Sequence, residues 1–178
     1  MLNGARRLTG AGLLVAAALF AAPLAGQDGA GYTNVISANP FGLLLDLFNA
    51  EYERAFTEST TIGIGGSYGD GDSVNDAGDL VESTYYNADV FWRFYTSGNH
   101  FEGWNFGVKA GLTHQETDIE SGTNFGIGFD ANRSWLLGAS NNFYVGLGFG
   151  LKRLFGDIPE DGIEVVPTLR IVNVGFAF

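Results

Sequence analysis

The stretch from Phe143 to Phe155 reads FYVGLGFGLKRLF and alternates between two kinds of side chain. Up to position 151 its odd positions are large and apolar, whereas positions 146, 148 and 150 are glycine. Successive side chains of a β-strand point to opposite faces of the sheet. The pattern therefore predicts a strand with an apolar environment on one face and little room on the other.

The same alternation recurs through most of the chain. It predicts strands near the following ranges: 60–69, 83–96, 101–116, 123–138, 142–155 and 164–178. Each range reaches the ~9 to 11 residues that a β-strand needs to cross a membrane. A barrel with both chain ends on one side has an even number of strands, so we expect two more strands within residues 32–57. We place the turn between these two strands at Leu45 to Phe48.

The predicted connections also differ between the two ends of the strands. Short turns fall at 58–59, 96–100 and 139–142, and longer acidic or glycine-rich loops fall at 69–82, 116–123 and 156–162. Short turns at one end and longer loops at the other are typical of bacterial outer-membrane barrels. The fold class that the sequence predicts is thus all-β, an eight-stranded antiparallel up-and-down transmembrane β-barrel.

Composition excludes other classes of protein. Glycine supplies 27 of the 178 residues, about twice its usual share of ~7%, which would destabilise a helical bundle. The net charge of -11 argues against a nucleic-acid partner, and the absence of cysteine excludes disulfides and thiolate metal sites. The oxygen-rich segment 70–79 lacks the full pattern of a calcium loop, so we interpret it as a solvated acidic loop. We expect no metal and no cofactor.

The N-terminus has the features of a secretory signal peptide. Arg6 and Arg7 precede an apolar segment, residues 8–24, which ends in small residues. We therefore expect a cleaved signal peptide at 1–25 and a barrel domain at 26–178. A signal anchor is the alternative, although the apolar segment is short for a membrane span.

Charged residues fall on the parity that should face the barrel interior. They are Glu51, Glu53, Asp89, Arg93, Lys109, Asp130 and Lys152. The interior of an eight-stranded barrel is just wide enough for side chains to fill it, and buried charges must be paired. We expect glycines on the same parity to make room for a packed polar plug. A narrow channel for ions or small solutes is the alternative.

Several arginines fall on the outward parity. Arg54 and Arg133 lie close to predicted short turns, where their side chains can reach the membrane interface. Arg153 and Arg170 lie towards the long-loop ends of adjacent strands, so we expect them to contact phosphates of lipopolysaccharide in the outer leaflet. The alternatives for this pair are ordinary interfacial positions or a bulge that turns a side chain inward.

The last strand carries an apolar stripe on alternate positions, formed by Val172, Val174, Phe176 and Phe178. This stripe with a terminal phenylalanine resembles the C-terminal signature of outer-membrane barrels that the barrel-assembly machinery reads. Four further segments resemble a family of small outer-membrane barrels defined as a domain of unknown function, similar in architecture to the OmpA and OmpX types. They are NPFGLL at 39–44, FNAEYERAF at 48–56, YVGLG at 144–148 and KRLFG at 152–156. The resemblance implies an outer-membrane barrel and carries no catalytic residues with it.

Two other functions must be weighed against a structural or surface-interaction role in the outer membrane. A soluble lipocalin-like cup would line its interior with apolar side chains, whereas the inward parity here is small and charged. A lipid A-modifying enzyme would need a hydroxyl nucleophile beside a histidine. The histidines are His100 and His114, and neither belongs to a His-x-Ser pair. We therefore expect a non-enzymatic, monomeric barrel whose partners are outer-membrane lipid, lipopolysaccharide and, during biogenesis, the assembly machinery.

Overall fold

The computed structural model of the protein describes residues 31–42, 46–74, 80–117, 121–156 and 164–178. The predicted signal peptide at 1–25 lies outside these residues. Tyr32–Phe178 form one compact unit. Within the described part of the chain, no helix is long and apolar enough to cross a membrane.

Eight antiparallel strands form a closed barrel in sequence order. They are β1 Asn34–Ala38, β2 Leu47–Ala55, β3 Thr60–Val74, β4 Leu80–Tyr95, β5 Gly103–Thr117, β6 Ser121–Leu137, β7 Phe143–Phe155 and β8 Val165–Ala177. Each strand pairs with its sequence neighbours, and β1 pairs with β8 through Val35↔Ala177 to close the ring. The predicted eight-stranded up-and-down barrel is therefore confirmed.

The two ends of the barrel are distinct. The chain enters β1 and leaves β8 at one end, which also carries the turns at 56–59, 96–102 and 138–142. We call this the terminal end. The connections between β1 and β2, β3 and β4, β5 and β6, and β7 and β8 lie at the opposite end, which we call the loop end.

The first turn lies earlier in the sequence than predicted. Leu47 and Phe48 belong to β2 and pair with Gly69 and Tyr68 of β3, so a turn at Leu45 to Phe48 is wrong. The connection begins at Asn39 instead, whose side-chain Oδ1 accepts hydrogen bonds from the backbone nitrogens of residues 41 (3.0 Å) and 42 (3.3 Å). Asparagine favours such turns because its side chain replaces a backbone acceptor, and the following Pro40 has no N–H to donate to a ladder.

Two segments predicted as long loops are largely strand. β3 continues to Val74 and β4 starts at Leu80, with Val74↔Leu80 still in register. β5 and β6 likewise continue to Thr117 and from Ser121. Aspartate, glycine and serine in these segments indicated loop, but the strand pairing continues through them to Val74↔Leu80 and Glu116↔Ser121. Residues 75–79 and 118–120 lie outside the described residues.

Apolar side chains cover the outside of the barrel. Phe106, Val108, Phe129, Phe149 and Phe176 are all more than half exposed, and they belong to four different strands. Inside, most of the buried side chains are polar or charged. Soluble monomers rarely expose apolar patches of more than a few hundred Å². This arrangement is the reverse of a soluble lipocalin-like cup and is suited to lipid outside the barrel.

Candidate functional site

The strand register places a glycine directly opposite every charged residue of the lumen. The cross-strand pairs are Glu51↔Gly65, Glu53↔Gly63, Asp89↔Gly111, Arg93↔Gly107, Lys109↔Gly128, Asp130↔Gly150, Lys152↔Gly128 and Arg170↔Gly148. A Cβ at Gly107 would lie 2.6 Å from Asp130 Oδ1 and 2.9 Å from Arg93 Cγ. The glycines of the inward parity thus provide the space that long charged side chains occupy.

Arg93 is the centre of the lumen. Its guanidinium is 1% exposed and donates to Glu53 Oε2 at 2.8 Å and to Glu51 Oε2 at 3.1 Å. Its Nε lies 3.5 Å from Asp130 Oδ1, and the group stacks 3.9 Å from the ring centroid of Phe91. Three carboxylates from two strands therefore surround one arginine from a third. Such a cluster is tolerated in a buried site because each charge has opposite charges within hydrogen-bonding distance.

Arg170 lies inside the lumen, which corrects the prediction that it faces lipopolysaccharide. It is 5% exposed, and its Nη2 lies 2.8 Å from Glu51 Oε2. The cause is a bulge in the ladder between β7 and β8. Gly146 pairs with Asn173, but Gly148 pairs with Arg170, so β8 has one more residue than β7 between these pairs. An extra residue reverses the parity of every position beyond it.

A second ion pair lies beside the Arg93 cluster. Lys152 Nζ donates to Asp89 Oδ1 at 2.6 Å and to the side-chain oxygen of Asn87. Lys109 Nζ lies 3.5 Å from Asp130 Oδ2 and donates to Thr168 Oγ1 at 2.8 Å. The structure thus brings all seven predicted lumen residues together.

Arg170 also changes the charge balance of the lumen. The seven predicted residues comprise four acids and three bases. With Arg170 the lumen network has four of each, and every one of the eight takes part in an ion pair. This neutrality lowers the cost of burying the network, because no member is left as an uncompensated charge.

A second group of buried side chains lies at the terminal end of the barrel, and we call it the aromatic floor. It consists of Val35, Tyr95, Phe101, Tyr144 and Ala177, each at most 3% exposed. Phe101 comes from the turn between β4 and β5, where its backbone has the left-handed conformation, with a φ of 67°. Tyr95 links the floor to the charge network by donating a 2.7 Å hydrogen bond to Glu53 Oε1.

Hydrogen bonds from two side chains tie the turns of the floor together. The ring nitrogens of His100 lie 2.9 Å from the carbonyl oxygen of Tyr32 and 3.2 Å from that of Glu58. Tyr32 in turn donates from its hydroxyl to the carbonyl oxygen of Ser140 at 2.5 Å. Residues from the N-terminal segment and from three separate turns are therefore connected across this end.

Towards the loop end the lumen contains a cavity of about 200 Å³. Asp89, Arg93, Lys109 and Arg170 are among the residues that line it, and Val166 and Pro167 of β8 contribute to its wall. Among the described residues, no group of three His, Asp or Glu side chains is arranged to hold a metal ion. The space beyond the charge network is therefore polar and large enough for several water molecules.

Outside the barrel, Arg153 is exposed near the loop end, and its guanidinium lies 5.6 Å from the centroid of the Phe155 ring. Phe176 and Phe178 are about 60% exposed at the terminal end (58% and 59%), and the half-buried Val172 and Val174 precede them in the chain. These four residues form the outward stripe of the last strand.

His114 has one contact that the sequence did not indicate. Its Nδ1 lies 2.8 Å from Thr123 Oγ1 across the β5–β6 pair, and its Nε2 lies 4.0 Å from Glu116 Oε2. That carboxylate is too distant for a hydrogen bond and is half exposed (52%). The group lacks the buried, hydrogen-bonded carboxylate that orients the histidine of a Ser-His-Asp triad.

Comparisons with known proteins agree with the architecture. No family model matches the chain, and no curated protein sequence matches it. The fold is similar to the N-terminal β-barrel domain of OprF from Pseudomonas aeruginosa, with 19% identity over 83% of this chain and 98% of that one and a TM-score of 0.45. It is also similar to the outer membrane protein Ail from Yersinia pestis, with 16% identity over 83% of this chain and all (100%) of that one and a TM-score of 0.50. At the level of fold, the likeness to Ail confirms the predicted resemblance to small outer-membrane β-barrels of the OmpA and OmpX type.

Proposed function

We propose that the protein is a closed outer-membrane barrel with a structural or surface-interaction role and no catalytic activity, whose lumen is filled rather than conducting. The terminal end faces the periplasm and the loop end faces the outside of the cell. The observation that supports the proposal is the presence of two separate layers of buried side chains inside the barrel. The eight-charge network fills its middle, and the aromatic floor fills its terminal end.

The placement in a membrane is supported by aromatic residues near both ends of the outer surface. Tyr68, Tyr86 and His114 are directly cross-strand neighbours towards the loop end, with ring centroids 5.1 and 6.0 Å apart. Phe143 and Phe176 form an edge-to-face pair at the terminal end, with centroids 5.9 Å apart. Aromatic girdles of this kind mark the two membrane interfaces of outer-membrane barrels. Above the outer girdle the β3–β4 hairpin continues towards the cell exterior.

A narrow channel is the second candidate. It is favoured by the cavity of about 200 Å³ that lies in the lumen towards the loop end. The two candidates differ in one measurable property, since only a channel carries current.

Planar-bilayer recordings of refolded protein distinguish them. The wild-type barrel is expected to be silent, because ions cannot pass both the network and the floor. A variant with Arg93→Ala and Phe101→Ala together removes one member of each barrier and is expected to give discrete current steps. Steps from the wild-type protein would overturn the closed barrel and support the channel. Heat-modifiable gel mobility confirms that each sample is a folded barrel.

We further propose that Arg153 contacts phosphates of lipopolysaccharide, whereas Arg170 has no such role. Arg153 is an exposed cation on the apolar outer face at the loop end. Because Arg153 lies near the membrane interface, its charge on the lipid-facing side costs little free energy. A photocrosslinker at position 153 is expected to capture lipopolysaccharide in cells, and one at position 133, near the opposite interface, is not. Failure to capture it from position 153 would contradict the contact.

A further inference from the structure

An arginine between two tryptophans lies on the outer face of the barrel near the terminal end. Arg133 of β6 is exposed, and its directly opposite partner on β5 is Trp104. Trp135 follows two residues later on the same face of β6. The guanidinium carbon lies 5.5 Å from the centroid of the Trp104 ring and 5.2 Å from that of the Trp135 ring. We call these three residues the Trp–Arg–Trp cluster.

The cluster holds its cation in a defined place. A guanidinium within ~6 Å of an indole centroid is attracted by the ring, and tryptophan is the most favourable partner for this interaction. Two indoles on neighbouring strands therefore restrict the orientation of Arg133. Indoles also prefer the boundary between lipid and headgroups, where the ring is in an apolar environment and its N–H can donate to a polar group.

The charge of Arg133 has no ion-pair partner in the part of the chain that the structure describes. Within the described residues, no carboxylate lies within 4.0 Å of its guanidinium, in contrast to the four bases of the lumen network. Its cross-strand neighbours are Trp104 on one side and Leu147 on the other. An unpaired cation beside an apolar surface favours an anion that is itself part of the surrounding lipid.

We propose that the Trp–Arg–Trp cluster binds the phosphodiester of an anionic glycerophospholipid, of the phosphatidylglycerol class, in the leaflet at the terminal end. Arg133 donates to phosphate oxygens, and the indole N–H groups are available for the glycerol headgroup. This inference rests on the proposed membrane placement of the barrel. An anionic headgroup fits better than a zwitterionic one, because the described residues offer no carboxylate in ion-pair distance of Arg133 to receive an ammonium group.

The charge of the whole protein makes such a preference informative. The chain has a net charge of -11, so long-range electrostatics disfavours anionic lipid around it. A preference for phosphatidylglycerol at this position must therefore come from the local cluster.

The third tryptophan, Trp92, also lies on the outer face, so its fluorescence must be removed before that of Trp104 and Trp135 can be measured alone.

The test measures quenching of tryptophan fluorescence by brominated lipids. Protein carrying Trp92→Phe is refolded into phosphatidylcholine vesicles that contain either brominated phosphatidylglycerol or brominated phosphatidylcholine at the same mole fraction. Quenching of Trp104 and Trp135 is expected to correspond to about a three- to fivefold enrichment of phosphatidylglycerol, the effect of one arginine near a membrane surface. In the same background Arg133→Gln is expected to abolish the enrichment. Arg153→Gln, which removes the same charge near the opposite end, is expected to leave it unchanged.

The outcomes separate this inference from the proposed function. Equal quenching by the two lipids in a barrel with heat-modifiable mobility, or enrichment that persists in Arg133→Gln, would overturn the lipid site alone. Loss of enrichment when inorganic phosphate is added at constant ionic strength would mean that the site binds phosphate without selecting lipid, which also overturns the assignment. A protein that shows no heat-modifiable barrel overturns both the membrane placement and the inference that rests on it.

Discussion

The charge network and the aromatic floor fill the same lumen by different physical means. In the network, Arg93 forms ion pairs with three carboxylates, and the space for these groups comes from glycines on neighbouring strands. In the floor, Phe101 and Tyr95 pack edge to face at 6.4 Å. The network therefore depends on electrostatic pairing. The floor depends on packing and on the hydrogen bonds that connect the turns through the side chains of His100 and Tyr32. The two layers should therefore respond differently to the loss of one side chain.

The network should show the largest single effect. Arg93→Ala leaves Glu51, Glu53 and Asp130 without their shared guanidinium, and breaking a buried ion pair from one side costs about 3 to 5 kcal/mol. We expect the free energy of unfolding in lipid vesicles, measured by urea titration, to fall by about this amount. Equal unfolding midpoints for the variant and the wild type would show that the carboxylates do not depend on Arg93.

Arg153→Ala is the matched control for this prediction. It also removes an arginine beside a phenylalanine ring, but the side chain is exposed and near an interface. We expect a change within about 0.5 kcal/mol, as for most surface substitutions. A loss as large as that of Arg93→Ala would mean that net charge, and not the lumen network, sets the stability.

The floor should respond next. Phe101→Ala removes a fully buried ring, and large-to-small changes of phenylalanine in a core cost about 3 to 5 kcal/mol. We expect a loss of about 3 kcal/mol, at the lower end, because the space opens at the end of the barrel where water can enter. The loss should also be insensitive to salt, because Phe101 carries no charge that ions in solution could screen. Urea titrations at low and high salt measure both properties, and a strongly salt-dependent loss would contradict packing as the cause.

The network was accessible from the sequence because strict alternation assigns residues such as Glu51 and Lys109 to the inward face. For Arg170 the sequence offered an inward bulge only as an alternative, because one extra residue in β8 reverses the parity and nothing in the local sequence marks that position. The first turn was misplaced because the even strand number requires a turn within residues 32–57 without fixing its position. The turn signal of Asn39 lies upstream of the range chosen.

The floor was missed even though part of its signal is present in the sequence. Tyr95 and Tyr144 occupy the inward parity close to the short turns, where a bulky aromatic is unexpected in a lumen of glycines and charges. Phe101 gives no such signal, because a phenylalanine with positive φ in a turn is rare and its direction depends on the tertiary fold. Sequence patterns therefore define the layers that strands build, and they leave out the layer that a turn contributes.

The glycines of the network give a smaller and more selective test. A methyl group added at Gly107 would approach Asp130 Oδ1 and Arg93 Cγ to less than 3 Å, so Gly107→Ala should displace both charges. Overpacking of this kind costs about 1 to 3 kcal/mol. Gly71→Ala, where no atom lies within 4 Å of the added Cβ, is the matched control and should change the free energy of unfolding by less than about 0.5 kcal/mol. Equal effects of the two substitutions would contradict a steric role for the glycine.

The smallest expected effect on the free energy of unfolding concerns the hydrogen bonds of His100, which connect the turns at the terminal end. Both ring nitrogens of His100 face backbone carbonyl oxygens, and a neutral imidazole can donate to only one of them. His100→Ala removes these contacts at the exposed rim and should cost about 1 kcal/mol, the net value of a typical hydrogen bond. Because these hydrogen bonds connect turns and not the central strands, amide hydrogen exchange should accelerate at Glu58 to Ser59 and at the start of β1, while β4 near Arg93 keeps its protection. Uniformly faster exchange throughout the barrel would mean that floor and network unfold as one unit, and the distinction between the two layers would then be structural but not energetic.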